Sequence, residues 1–150
     1  MQVESEITIE RSPQEVFDYI AHAEYLPEYV EEFQTVSQTS EGEPGVNTSY
    51  SYAMTRGAQG TFTWTQFERP SLLRWDGPAV KAGPGTMQPA GWWELSEAGG
   101  GTLVKFVMAP TPGGLFKVLA PFMAAGMRKG NERALGRLKQ RLEQGAATTV

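Results

Sequence analysis

Tyr50, Tyr52, Arg56 and Gln66 are the polar residues best spaced to do chemistry in this sequence. The two tyrosines alternate with Ser49, Ser51 and Ala53, so their hydroxyls share one face of a strand. A phenol with an ordinary pKa of about 10 donates a proton readily but is a poor base unless a cation lies near it. Arg56 is the nearest cation in sequence, in a glycine-bearing reversal where a surface position is expected. Gln66 adds an amide further on. Acid–base closure of a carbonyl compound, an aldol step for instance, needs a paired acid and base on a shaped surface. No His, Asp or Glu completes such a pair. Glu94 and Lys105 fall on strand positions that point away from the tyrosine face.

Other chemistries are excluded more firmly. The chain has no cysteine, so disulfides, thiolate zinc sites, iron–sulfur clusters and a cysteine nucleophile are ruled out. A three-histidine metal site is impossible, because His22 is the single histidine. His22 lies in a polar stretch with no serine motif around it and reads as a local structural residue. Gly99-Gly100-Gly101 is a hairpin turn, without the strand–turn–helix setting of a phosphate loop. No cofactor and no metal are expected. The net charge of −4 argues against nucleic acid as the main partner. Arg128, Lys129, Arg133, Arg137, Lys139 and Arg141 cluster late, and read as the solvated face of a helix. The acidic start is unlike a signal peptide, and no apolar run approaches the roughly 20 residues of a membrane span. A cytoplasmic setting is the expectation.

The elements that must position these groups follow from the pattern. Val3, Ser5, Ile7 and Ile9 alternate with polar residues and predict a half-buried strand. Ser12-Pro13-Gln14-Glu15 forms a capping box for a helix carrying Val16, Phe17 and Ile20 on one face. Leu26 to Val30 predicts a second short helix, separated by Pro27. Strands are then predicted over 33–39, 46–54, 61–68, 72–76, 91–96 and 102–109. Residues 77–89, rich in Gly and Pro, read as a loop. Thr111 is expected to cap a final helix with Pro112 at its first position, running to about Glu143. Its apolar residues include Phe116, Leu119, Met123, Met127, Leu135, Leu138 and Leu142, spaced at three and four. A bend is expected near Pro121, Gly126 and Gly130. Residues 1–144 read as one domain, and 145–150 as a disordered tail.

Four passages carry a family resemblance: Ile7 to Phe17, then Leu26-Pro27-Glu28-Tyr29-Val30, Phe67-Glu68-Arg69-Pro70 and Gly101-Thr102-Leu103-Val104. With the element order they resemble the SRPBCC superfamily, which includes START domains, the birch-pollen-allergen fold and polyketide cyclase/dehydrases. The sequence departs from it at Tyr29, where tryptophan is common. The resemblance implies an α+β helix-grip fold. A curved seven-stranded antiparallel sheet would wrap a long C-terminal helix, with two short helices between the first two strands.

Strand parity then places Tyr50, Tyr52, Met54, Phe62, Trp64, Trp75, Trp93, Val104, Phe106 and Met108 on the concave face. Phe116, Leu119, Met123 and Met127 would answer from the helix. Aromatic rings and methionines of this kind line ligand pockets. The first expectation is therefore carriage of a small hydrophobic molecule (a lipid, isoprenoid or aromatic polyketide) in an internal cavity. The second is a cyclase/dehydratase-type enzyme acting in the same cavity. The third is a co-chaperone-like protein-binding module using Leu103 and Val107 on the outer face, which loops or a homodimer partner can equally cover.

Overall fold

The computed structural model describes residues 1–148. Strand β1 (Val3–Ile9) leads into α1 (Pro13–Ala21). The Ser12 hydroxyl caps this helix, accepting the Glu15 N–H at 3.3 Å, and Val16, Phe17 and Ile20 are buried as the pattern predicts. A single turn over Ala23–Tyr25 and the short α2 (Leu26–Tyr29) follow. Six further strands complete the main sheet: β2 (Phe33–Gln38), β3 (Ser49–Met54), β4 (Gln59–Glu68), β5 (Leu72–Asp76), β8 (Ala90–Ala98) and β9 (Gly101–Met108). Its seven strands run in the order β1-β9-β8-β5-β4-β3-β2, and every pairing is antiparallel.

A second sheet was not anticipated. β6 (Val80–Ala82), β7 (Gly85–Gln88) and β10 (Thr111–Gly114) form three antiparallel strands in the order β10-β7-β6. The stretch read as a loop is thus a hairpin, turned by Gly83 at φ +58° and Pro84. Thr111 and Pro112 do not start the helix. They pair with Gln88 and Met87 on an edge strand, a position that tolerates a proline without an N–H.

The final helix α3 (Phe116–Thr148) continues through Pro121 and beyond Glu143. The tail predicted from Gly145 is helical to Thr148, and residues 149–150 lie outside the described residues. The second half of α3 is firmly held. Leu135, Leu138 and Leu142 join the core, Arg133 and Arg137 reach Glu31 at 3.3 and 3.1 Å, and Arg141 pairs with Glu28. Half of the late basic cluster, Arg133, Arg137 and Arg141, is therefore spent on ion pairs with the region around α2.

Candidate ligand-binding face

Rings on the concave face form one unbroken chain of contacts. Phe33 meets Tyr52 edge-on at 5.4 Å, and Tyr52 lies 6.2 Å from Phe62. Phe62 stacks on Tyr50 at 5.1 Å and meets Trp64 edge-on at 6.0 Å. The chain passes from Trp64 to Trp75 at 6.4 Å, to Phe106 at 5.7 Å, to Trp93 at 4.1 Å and to Tyr29 of α2 at 6.5 Å. Register explains it, since Tyr50 pairs with Phe62, Trp64 with Trp75, and Trp93 with Phe106 on neighbouring strands. Offset and edge-to-face geometries of this kind are the favoured ones for aromatic pairs.

Three rings lie against glycines. Tyr52 is paired with Gly60 and Trp75 with Gly91, and a side chain on either glycine would collide with the ring opposite. Phe116, at the start of α3, lies against Gly85 of β7 in the same way. A glycine inside a strand removes the Cβ that would stand between backbone and ring. The sequence reading missed these seats. Their signal was a lone Gly at a strand position of inward parity, and it becomes legible only once the register is known.

The face is fully buried in one part and half-buried in another. Tyr50, Phe62, Trp64, Trp93, Val104 and Phe106 are buried and share one core with Leu135, Leu138 and Leu142. Tyr52, Trp75 and Met108 are half-buried at its margin. Met54, Phe116, Met123 and Met127 are half-buried outside that core. Leu119, expected to face the sheet, is instead exposed. The first half of α3 lies over β10 and β7 rather than on the main sheet.

The polar candidates separate into distinct places. The Tyr50 hydroxyl donates to the Ala21 carbonyl at 3.0 Å, so it holds the end of α1. Tyr52 lies in the half-buried part, where burial raises the pKa of its hydroxyl and keeps it a neutral donor. Arg56 is exposed in the turn between β3 and β4. Gln66 faces outward, against its expected role. A register shift between Trp64 and Gln66 turns Phe67 inward, and Gln66 accepts from Arg74 Nε at 3.3 Å on the outer face. His22 Nδ1 lies 2.8 Å from the Asp18 carbonyl, a local contact.

Buried side-chain polar atoms without a hydrogen-bond partner include Ser5 Oγ, Tyr29 Oη and Asn131 Nδ2, on β1, α2 and α3, and Arg11 Nε. Burial drives the Tyr29 pKa far upward, so this hydroxyl stays protonated. Two open hollows indent the sheet elsewhere. One of about 400 Å³ is lined by Glu6, Glu68, Glu94, Leu103 and Lys105, and another of about 490 Å³ by Thr35, Ser51, Tyr52 and Gly60. Tyr52 alone belongs to the predicted set. On the outer face, Val107 is fully buried within the chain itself, which removes it from any docking surface. Among the described residues there is no cluster of three metal-ligating side chains, and no helix is long and apolar enough to cross a membrane.

A family model described as polyketide cyclase / dehydrase and lipid transport matches residues 1–143. The chain belongs to that family. No curated protein matches it significantly in sequence. Solved structures show the fold of this polyketide cyclase/dehydrase family at low identity. A protein from Thermus thermophilus superposes with a TM-score of 0.78 at 18% identity, covering 97% of this chain and 99% of its own. The allergen Ara h 8.0201 gives 0.67 at 13%, covering 96% and 98%. The di-domain ARO/CYC StfQ from the steffimycin biosynthetic pathway gives 0.73 at 12%, covering 97% of this chain and 51% of that one.

Proposed function

We propose that the half-buried part of the concave face binds and carries a small hydrophobic molecule of the lipid, isoprenoid or aromatic polyketide class. The observation that carries this reading is the half-buried apolar set Tyr52, Met54, Trp75 and Met108 on the sheet, with Phe116, Met123 and Met127 half-buried on α3. Rings seated on glycines offer flat apolar area at low entropic cost, and methionines adapt to irregular shapes. Catalysis is the weaker reading. Tyr52 can donate a proton, but Tyr50 is engaged with Ala21, and Arg56 and Gln66 lie elsewhere. Burial alone shifts the pKa of the Tyr52 hydroxyl, and among the described residues no charged group shifts it as a paired base would.

Native mass spectrometry of freshly purified protein should show a co-purified small molecule. Titration with oleic acid, farnesol and anthraquinone should give saturable quenching of tryptophan fluorescence for at least one of them. Met123→Trp, which enlarges a half-buried side chain of the proposed site, should abolish that signal with the circular dichroism unchanged. Quenching that is unsaturable for all three probes, with no co-purified mass, would sink the carrier reading.

A further inference from the structure

The first half of α3 carries apolar residues on both sides. Phe116, Ala120, Met123 and Met127 turn towards the protein and are half-buried. Leu115, Val118, Leu119 and Phe122 follow at spacings of three and four on the opposite side. They are exposed, Val118 by 70% and Phe122 by 79%. A helix apolar all round belongs inside something, and a contiguous exposed patch of large apolar side chains marks an interaction surface.

Charge says what covers it. The chain is acidic overall, yet residues 77–93 and 98–131 contain no Asp or Glu. These segments hold the small sheet and the first half of α3. Apart from Lys105, which pairs with Glu4 across β9 and β1, they carry Lys81, Lys117, Arg128 and Lys129, all four exposed and none ion-paired among the described residues. By contrast Arg133, Arg137 and Arg141, further along the same helix, each have a carboxylate partner. Exposed leucine, valine and phenylalanine next to unpaired cations match a surface that is anionic at its headgroups and apolar below. Two-fold pairing of a second copy through this stripe would set Lys117, Arg128 and Lys129 against themselves, so self-association fits less well.

We infer that the segment from Leu115 to Lys129 is a docking surface for anionic phospholipid membranes. Val118 and Phe122 enter the boundary between headgroups and acyl chains, and Lys117, Arg128 and Lys129 meet the phosphates. The helix lies on the surface and does not span it.

Co-sedimentation with vesicles tests this directly. The purified protein should bind phosphatidylcholine vesicles containing phosphatidylglycerol, bind pure phosphatidylcholine vesicles about tenfold less, and lose binding as salt rises. Val118→Ser with Phe122→Ser, and separately Lys117→Glu with Lys129→Glu, should each abolish most of the binding. These are exposed positions, so an unchanged thermal melt is expected. Equal binding to both vesicle types, or none, overturns the proposal. So does a dimer in sedimentation equilibrium that the Val118/Phe122 variant dissociates, which would give the stripe to a second copy. The vesicle assay requires no bound ligand, so its failure leaves the carrier reading standing, and the reverse also holds.

Discussion

Tyr50 and Trp64, on neighbouring strands, converge on one backbone atom. The Tyr50 hydroxyl donates to the Ala21 carbonyl at 3.0 Å and the Trp64 indole Nε1 donates to the same oxygen at 3.2 Å. Ala21 is the last residue of α1, where helix carbonyls lose their intrahelical partners. Two side chains of the sheet therefore cap a helix end from the concave face. Burial raises the Tyr50 pKa and the Trp64 contact lowers it in part, so the hydroxyl remains a donor.

A double-mutant cycle on this pair should be strongly non-additive. Tyr50→Phe leaves the carbonyl with its indole donor and should cost about 1 kcal/mol in urea unfolding. Trp64→Phe costs more, because it also removes buried ring volume. The double variant leaves a buried carbonyl with neither donor. Its loss should exceed the sum of the single losses by about 1–2 kcal/mol. Additive losses would mean that the two bonds do not share the acceptor in solution.

The glycine seats give opposite signs at two positions. Gly91→Ala places a methyl against the Trp75 ring and the Val107 carbonyl, where the backbone cannot yield. It should cost about 1–3 kcal/mol, as overpacking does. Gly126 in α3 has nothing within 4 Å of an added Cβ. Gly126→Ala should stabilise by about 0.5–1 kcal/mol through helix propensity alone. Thermal melts of the two variants should move in opposite directions. Trp75→Leu should rescue Gly91→Ala only in part, since the carbonyl remains.

The same residues show how far a sequence can be read. Strict alternation placed Tyr50, Phe62, Trp64, Trp93 and Phe106 on one face correctly, because burial on one side of a sheet enforces period two. That rule failed at Gln66, where a bulge adds one residue and flips the parity that follows. It failed again at Thr111–Gly114, whose Pro and Gly carry no strand signal and which pairs only because β7 offers an edge. The role of Tyr50 was hidden for a different reason. Its acceptor lies in α1, far along the chain, and long-range hydrogen bonds leave no local pattern.

Alkaline pH should destabilise the fold through its tyrosines. Tyr19 is pushed up to about 12 by burial and by its hydrogen bond to Glu28, and Tyr29, Tyr50 and Tyr52 are raised by burial. In the unfolded chain these groups ionise near pH 10. Raised folded pKa values give stability that is complete below that pH and lost as pH climbs through the folded values. The tyrosine contribution should therefore be flat from neutral pH to about pH 10, and unfolding free energy should fall above it. In a pH jump, the Tyr29 phenolate absorbance should appear only at the rate of unfolding seen by circular dichroism. Faster appearance would show that Tyr29 reaches solvent in the native state.

Acid should loosen the opposite corner. Glu143 accepts the Glu10 N–H at 2.8 Å and Lys139 Nζ at 2.7 Å, while Arg11 donates to the Glu143 carbonyl at 2.7 Å. The Lys139 and Glu10 bonds hold its carboxyl below the ordinary value of 4.5. A lowered folded pKa gives stability that is present above the unfolded value and lost as pH falls through the folded one. The group is partly exposed, so the effect is modest. Glu143→Gln should cost about 1 kcal/mol at neutral pH and flatten the dependence of stability on pH below about 4.5. Hydrogen exchange should locate the loss in the last turns of α3 and the corner between β1 and α1. An acid limb that keeps its slope in Glu143→Gln would assign that dependence to other carboxylates.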